Sequence, residues 1–76
     1  LKAYPNPTSG LVTVDLDNRI HTEHTIRVFD LFGRLVQENK TTSERNTIDL
    51  SSGDAGVYFI EIWNGTNRAV QKIIKQ

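Results

Sequence analysis

The chain has 76 residues, of which 37% are hydrophobic, and it contains no cysteine. Nine Lys and Arg residues balance nine Asp and Glu residues, and this zero net charge argues against duplex nucleic acid or an anionic membrane as the main partner. No apolar run approaches the roughly 20 residues that a membrane-spanning helix needs. We expect one small domain, residues 1–76, that belongs to a longer protein, because the chain begins at Leu1 without a signal peptide.

Apolar and polar residues alternate with a period of two along most of the chain, which predicts β-strands, and no window shows a capped helical period. The predicted strands cover residues 11–16, 25–30, 34–39, 46–50, 57–63 and 68–75, with a short edge strand at 1–4. Short strands that are rich in β-branched and aromatic residues are typical of a β-sandwich. Their inward side chains should form the core: Val12, Val14, Ile26, Val28, Val36, Ile48, Tyr58, Ile60 and Ile62.

A tight turn is predicted at residues 30–33, between the second and third of these strands. Asp30 suits the first position of a type I turn, and Gly33 suits the fourth position with a positive φ. Arg34 follows the turn at once, so its side chain could pair with Asp30. We therefore interpret these three residues as structural.

A second hairpin is predicted at Asn64-Gly65, which is the strongest two-residue turn signal in the chain. A two-residue loop would place Glu61 opposite Arg68, which pairs opposite charges across the ladder. A three-residue loop would instead turn the last strand over. We favour the two-residue loop, and the same Asn is also the first residue of a glycosylation sequon.

The stretch Asp54-Ala55-Gly56-Val57-Tyr58-Phe59-Ile60 follows the pattern of strand F in immunoglobulin-type domains, with Ile60 in place of the cysteine. In that arrangement the tyrosine hydroxyl bonds to the backbone a few residues upstream, forming a tyrosine corner. The predicted fold is therefore an all-β, immunoglobulin-like antiparallel β-sandwich of six to seven short strands. With Tyr58 inside, Phe59 and Trp63 should lie on the outer face of their sheet.

The residues give little indication of chemistry. His21-Thr22-Glu23-His24 is a weak set of metal ligands, and Asp15-Leu16-Asp17-Asn18 lacks the glycine and distal glutamate of a calcium loop. No serine lies in a nucleophile elbow, and there is no cysteine nucleophile. We predict no enzyme activity, no cofactor and no metal site.

Four motifs occur in a fixed order along the chain. They are Tyr4-Pro5-Asn6-Pro7 with Gly10, Phe29-Asp30-Leu31-Phe32-Gly33-Arg34, Gly56-Val57-Tyr58, and Lys72-Ile73-Ile74-Lys75. The segment Ile48-Asp49-Leu50-Ser51 precedes the third motif. In this order and spacing, the chain resembles the type A C-terminal sorting domain of the type IX secretion system of Bacteroidetes.

The resemblance implies an export label. Such a domain follows its cargo in the same chain, is recognised by the type IX translocon, and is usually removed by a sortase-like peptidase. The expected route leads through the periplasm to the cell surface or the medium. The expected domain is a monomer that does not insert into the membrane. Candidate translocon contacts are Gly56, Tyr58, Lys72, Ile73, Ile74 and Lys75. The structural motif residues are Pro5, Asn6, Pro7, Gly10, Asp30, Gly33 and Arg34.

Two other interpretations remain open. An immunoglobulin-like accessory or carbohydrate-binding module would use exposed aromatic side chains, for which Phe32, Phe59 and Trp63 are the candidates. A structural spacer would need no exposed site. The lysines Lys72 and Lys75 could likewise serve only as a charged edge that discourages strand pairing.

Overall fold

In the computed structural model, which describes residues 1–16 and 22–76, that part of the chain forms seven strands and no helix. The strands are β1 (Lys2–Tyr4), β2 (Leu11–Asp15), β3 (His24–Asp30), β4 (Leu35–Thr41), β5 (Arg45–Asp49), β6 (Gly56–Trp63) and β7 (Arg68–Lys75). The all-β prediction is confirmed. The described residues accordingly include no helix of the length and apolarity that a membrane crossing requires.

The strands form two antiparallel sheets. One has the order β1-β2-β5, and the other has the order β4-β3-β6-β7. In immunoglobulin lettering these orders correspond to A-B-E and C′-C-F-G. Because β6 takes the place of strand F, the immunoglobulin-like prediction is confirmed in its topology. The last strand, β7, is one of the two edge strands of the larger sheet, and β4 is the other.

The core lies between the two sheets and draws on both. Eight of the nine predicted core residues are buried there, and Val36 is the exception with 44% exposure. The β3–β4 ladder shifts its register beside Val36, since Val28 pairs with Gln37 while Phe29 pairs with Leu35. Val36 is the residue that this bulge leaves over, so its side chain is not inserted into the core. Sequence reasoning missed four buried apolar residues: Ala3, Leu16, Leu50 and Ile73.

The turn at residues 30–33 has the predicted geometry. The Gly33 amide donates to the Asp30 backbone oxygen at 3.0 Å, and Gly33 has a φ of +80°. The Asp30 carboxylate accepts hydrogen bonds from the backbone N–H groups of Phe32 and Arg34 and from the Arg34 side chain. These bonds, the Arg34 N–H first among them, lower the pKa of Asp30. The structural role predicted for these residues therefore has a direct geometric basis.

The predicted two-residue loop at Asn64-Gly65 is wrong. Trp63 pairs with Arg68, so the loop has four residues, 64–67, and the register is shifted by two from the prediction. The Asn64 side-chain oxygen accepts the backbone N–H groups of Thr66 and Asn67, at 2.9 and 2.7 Å, which holds the wider loop closed. A shift of two leaves every side chain of β7 on the face that the prediction gave it.

The tyrosine corner is present. The Tyr58 hydroxyl donates to the Asp54 backbone oxygen at 2.7 Å, and the ring is 6% exposed. Gly53 lies directly beside the hydroxyl, because a Cβ at that position would fall 2.5 Å from the Tyr58 oxygen. The turn before β6 is thus built around the end of this tyrosine.

Gly33→Val should reduce the free energy of unfolding by about 1–3 kcal/mol, because a β-branched residue is strained at positive φ. No atom would lie within 4 Å of the added Cβ, so the loss would come from backbone conformation alone. Chemical denaturation would measure the change. Gly33→Asn is the control and should lose less, because asparagine tolerates the left-handed region. An unchanged stability in Gly33→Val would contradict the turn assignment.

Candidate recognition surface

The last strand presents two different sides. Ile73 is fully buried and Lys75 is 9% exposed, whereas Lys72 is exposed and Ile74 is 39% exposed. Because side chains alternate across a strand, the terminal motif is divided between the core side and the outer face of the sheet. The interpretation of both lysines as an exposed, charged edge is therefore wrong for Lys75, which is buried.

Lys75 joins the end of the chain to the turn before β6. Its ammonium group donates to the backbone oxygens of Gly53 and Ser51, the second at 3.4 Å. A buried ammonium group needs such partners, since burying an unpaired charge costs much free energy. The Tyr58 hydroxyl bonds the same turn at Asp54. Lys75 and the tyrosine corner therefore hold one turn from two directions.

The candidate residues of β6 lie directly opposite those of β7. Gly56 pairs with Lys75, and Tyr58 pairs with Ile73. Gly56 is half-buried with a φ of +143°, in the region that favours glycine. The structure thus brings all six candidate contacts together at one end of the β6–β7 ladder. Lys72 and Ile74 are the two among them that point outward.

The segment after β1, residues 5–8, lies along the outer edge of β7, and we name it the strap. The Asn6 side-chain amide donates to the Lys72 backbone oxygen at 2.9 Å, and the Asn6 side-chain oxygen accepts the Ile74 N–H at 3.0 Å. The Thr8 amide then donates to the Ile74 oxygen, also at 2.9 Å. Both backbone groups of Ile74 are therefore bonded to the strap.

Further contacts extend the strap at both ends. The Gln76 amide donates to the Thr8 backbone oxygen at 2.9 Å. Towards the start of the strand, the Gln71 side chain accepts the Ala3 N–H and donates to the Ala3 oxygen. Sequence reasoning gave no role to Gln71 or Thr8. The sequence offers no signal for these contacts with β7 and β1, since the groups that they join lie at opposite ends of the chain.

The strap itself is held from within. Thr8 is 1% exposed, and its hydroxyl donates to the Leu11 oxygen and accepts the Gly10 N–H, at 2.7 and 3.0 Å. The peptide bonds before Pro5 and Pro7 are both cis. Through Asn6, the first motif adjoins the last motif in space, and Thr8 extends the contact.

The outer face of the four-stranded sheet carries a row of ion pairs. Glu61 is 7% exposed and accepts hydrogen bonds from Arg68 at 2.7 Å and from Arg27 at 3.3 Å. Arg27 also bonds Glu38 at 2.7 Å. The Arg68 hydrogen bond is the main cause that lowers the pKa of Glu61. The predicted pairing of Glu61 with Arg68 thus occurs, but along the diagonal of the ladder.

The aromatic side chains do not form one platform. Trp63 is 37% exposed on the outer face, as predicted, and Phe59 is half-buried there. Phe32 is 80% exposed in the turn beyond Asp30, whereas Trp63 pairs with Thr25 near the other end of β3. Carbohydrate-binding modules that use stacked sugars need neighbouring, coplanar rings, so this arrangement does not favour that interpretation.

The histidine cluster and the acidic run that were weighed as ion sites overlap residues 17–21, which lie outside the described residues. Across residues 1–16 and 22–76, no group of three or more His, Cys, Asp or Glu side chains converges on one point. Asp15 accepts hydrogen bonds from Arg45 at 2.9 Å and from Tyr4 at 2.8 Å, and these bonds lower its pKa. The Asp15 carboxylate therefore serves the contacts between strands.

A family model for the secretion system C-terminal sorting domain matches residues 2–76. The chain belongs to this family. The match includes the strap, the turn at residues 30–33 and the whole of β7, so the described surface lies within the family region. The sorting domain is the C-terminal secretion signal of the type IX system.

An ulvan lyase from Nonlabens ulvanivorans is 39% identical to the sorting domain over 69 residues. The aligned part is 90% of this chain and 12% of that protein. The chain thus corresponds in length to a small part of that lyase. A type IX sorting domain directs such cargo to the cell surface or the extracellular space.

Lys75→Ala should reduce the free energy of unfolding by about 1–3 kcal/mol, because two turn oxygens lose their donor. Lys72→Ala makes the same substitution three residues earlier on the exposed side and should change stability by less than about 0.5 kcal/mol. Urea denaturation of both variants would measure the difference. Equal effects would contradict the division of β7 into two sides.

Glu61→Gln should reduce stability near neutral pH by about 1–2 kcal/mol, because both arginines lose a charged partner. The folded pKa of Glu61 lies below its ordinary value of 4.5. Stabilisation from a lowered carboxyl pKa is complete above the unfolded pKa and is lost as the pH falls through the folded pKa. The stability difference between wild type and variant should therefore stay level from about pH 7 to about pH 5 and shrink as the pH falls further towards about pH 3. Thermal unfolding would measure it, and a constant difference would contradict the ion-pair assignment.

Proposed function

We propose that the type IX translocon recognises this domain through the outward side chains of β7, Lys72 and Ile74. The observation that supports this proposal is the alternation of the terminal motif between core and surface. A receptor that meets the folded domain can contact only what the fold leaves outside. Ile73 and Lys75 then serve recognition indirectly, by holding the strand in place.

The neighbours of these two residues define the chemistry of the surface. Lys72 lies opposite Phe59, and Ile74 lies opposite Val57, so a cationic group borders an apolar strip on the same face. A complementary partner presents a carboxylate beside apolar side chains. The charge sets orientation and the rate of encounter, while the apolar contacts contribute most of the affinity.

Gly56 and Tyr58 act in this proposal through the shape of the β6 end. Tyr58 is the cross-strand partner of Ile73, and its hydroxyl bonds the turn that Lys75 also bonds. Replacing either residue would displace the strand that carries the contacts. Their presence in the family motif is then a requirement for positioning β7, and the Tyr58 side chain does not contact the receptor.

Membership of the family supports a proposal for the route and the further partners. We propose that the cargo lies N-terminal in the same chain and passes through the periplasm. The translocon exports it and a sortase-like peptidase then removes the domain. The domain acts as a monomer and takes no part in catalysis. The identity of the cargo, including any likeness to a polysaccharide lyase, is a separate question from the function of the tail.

Residues 1–76, fused behind a signal peptide and a reporter, should take the reporter across the outer membrane of a host with a type IX system. Lys72→Ala should lower the exported fraction about five- to tenfold, the effect of losing roughly 1 kcal/mol of contact. Lys40→Ala, which removes an exposed lysine from β4, is the matched control and should export normally. Surface labelling and cell fractionation would measure export.

Two outcomes would overturn the assignment of this domain as a sorting signal for the reporter. One is a reporter that reaches the surface without residues 57–76. The other is a reporter that stays in the periplasm with the complete domain attached. Equal export by Lys72→Ala and wild type would leave the sorting signal intact and exclude Lys72 as a receptor contact.

A further inference from the structure

Asn6 is exposed, yet both polar atoms of its side chain are used. They bond the Lys72 oxygen and the Ile74 N–H, which are 66 and 68 positions away in sequence. One donor and one acceptor, aimed at the edge of a strand, are what a neighbouring strand would present. The Asn6 side chain thus takes the place of a strand beside β7.

The backbone of the strap completes the same edge. Thr8 bonds the Ile74 oxygen and the Gln76 N–H, and a short parallel bridge joins Thr8 to Lys75. From Lys72 to Gln76, the edge of β7 is therefore occupied. An uncovered edge would offer free N–H and C=O groups to any other strand and would fray more readily.

We propose that Asn6 is a positioning residue for export: it closes the edge of β7, so that the receptor meets Lys72 and Ile74 as side chains on an ordered face. This inference rests on the proposed function. It adds that the partner does not bind by adding a strand between Lys72 and Gln76. Strand addition needs the backbone groups that the strap already bonds.

The first measurement follows single amides of the 76-residue chain by hydrogen exchange. In Asn6→Ala the Ile74 amide should exchange about tenfold faster, the change expected when one hydrogen bond of ordinary strength is lost. The Ile73 amide faces β6 and should change little. In Asn6→Asp the acceptor for Ile74 remains while the donor to Lys72 is lost, so its exchange should be intermediate. Ile74 exchange that equals wild type in both variants would overturn the positioning role.

The second measurement is export of the reporter fusion. Asn6→Ala should lower the exported fraction about fivefold and Asn6→Asp less, in the order of their Ile74 exchange rates. Asn39→Ala, which truncates an exposed asparagine of β4, should export normally. Gly33→Val is the stability control, because it weakens the fold at the far hairpin without touching β7. Asn6→Asp keeps the test decisive if Asn6→Ala does not fold.

Three results would overturn the inference. Export that falls in proportion to lost stability in both Asn6→Ala and Gly33→Val would make Asn6 merely structural. Export that rises in Asn6→Ala would mean that the partner adds a strand to the freed edge. Normal export in Asn6→Ala, despite fast exchange at Ile74, would make the edge irrelevant while leaving the proposed function standing. A wild-type fusion that stays in the periplasm would instead remove the proposed function itself.

Discussion

The terminal strand β7 is held along both edges and through its buried side chains, and the candidate surface depends on these contacts. β6 bonds one edge, the strap bonds the other, and Ile73 packs into the core. An edge strand with one neighbour is normally among the least stable parts of a sheet. Between Lys72 and Gln76, however, β7 is hydrogen-bonded on both edges, as an inner strand would be. The outward side chains of Lys72 and Ile74 are therefore carried by a well-held backbone.

The turn before β6 connects this restraint to the rest of the sandwich. Tyr58 bonds it from the core and Lys75 bonds it from the end of the chain. Because the motifs that contain Tyr58 and Lys75 bond the same turn, displacing one of them would also move the other. The first, third and fourth motifs therefore act as one structural unit, although each is local when read along the sequence.

Much of the fold could be predicted from the sequence, because period-two alternation and turn chemistry are local signals. Asp30 and Gly33 form their turn with neighbours a few residues away. The tyrosine corner is equally local, because the Tyr58 hydroxyl bonds Asp54, four residues upstream. The burial predicted for Val36 was wrong because the bulge between Leu35 and Gln37 takes one residue out of the alternation. The register predicted after Asn64 was wrong because Asn64-Gly65 also fits a four-residue loop. In that loop the Asn64 side-chain oxygen accepts two backbone N–H groups.

The surface could be predicted only in part, for a physical reason. The sequence indicates that the last motif matters, but not which of its lysines is buried. That depends on the Ser51 and Gly53 oxygens, which accept the Lys75 ammonium group across the fold. The role of Asn6 is equally non-local. A pattern of neighbouring residues contains no information about a bond between the two ends of a domain.

The hydrogen bond between Asn6 and Ile74 also determines when, during synthesis and folding, the strap can form. Contacts between groups so far apart in sequence can form only after the whole intervening chain exists. Such a domain cannot finish its first motif until its last strand has been synthesised. The strap contacts are thus absent from any chain that lacks residues 72–76. In such a chain Asn6 has neither of its partners, the Lys72 oxygen and the Ile74 N–H, so the loss of the last strand also removes contacts of the first motif.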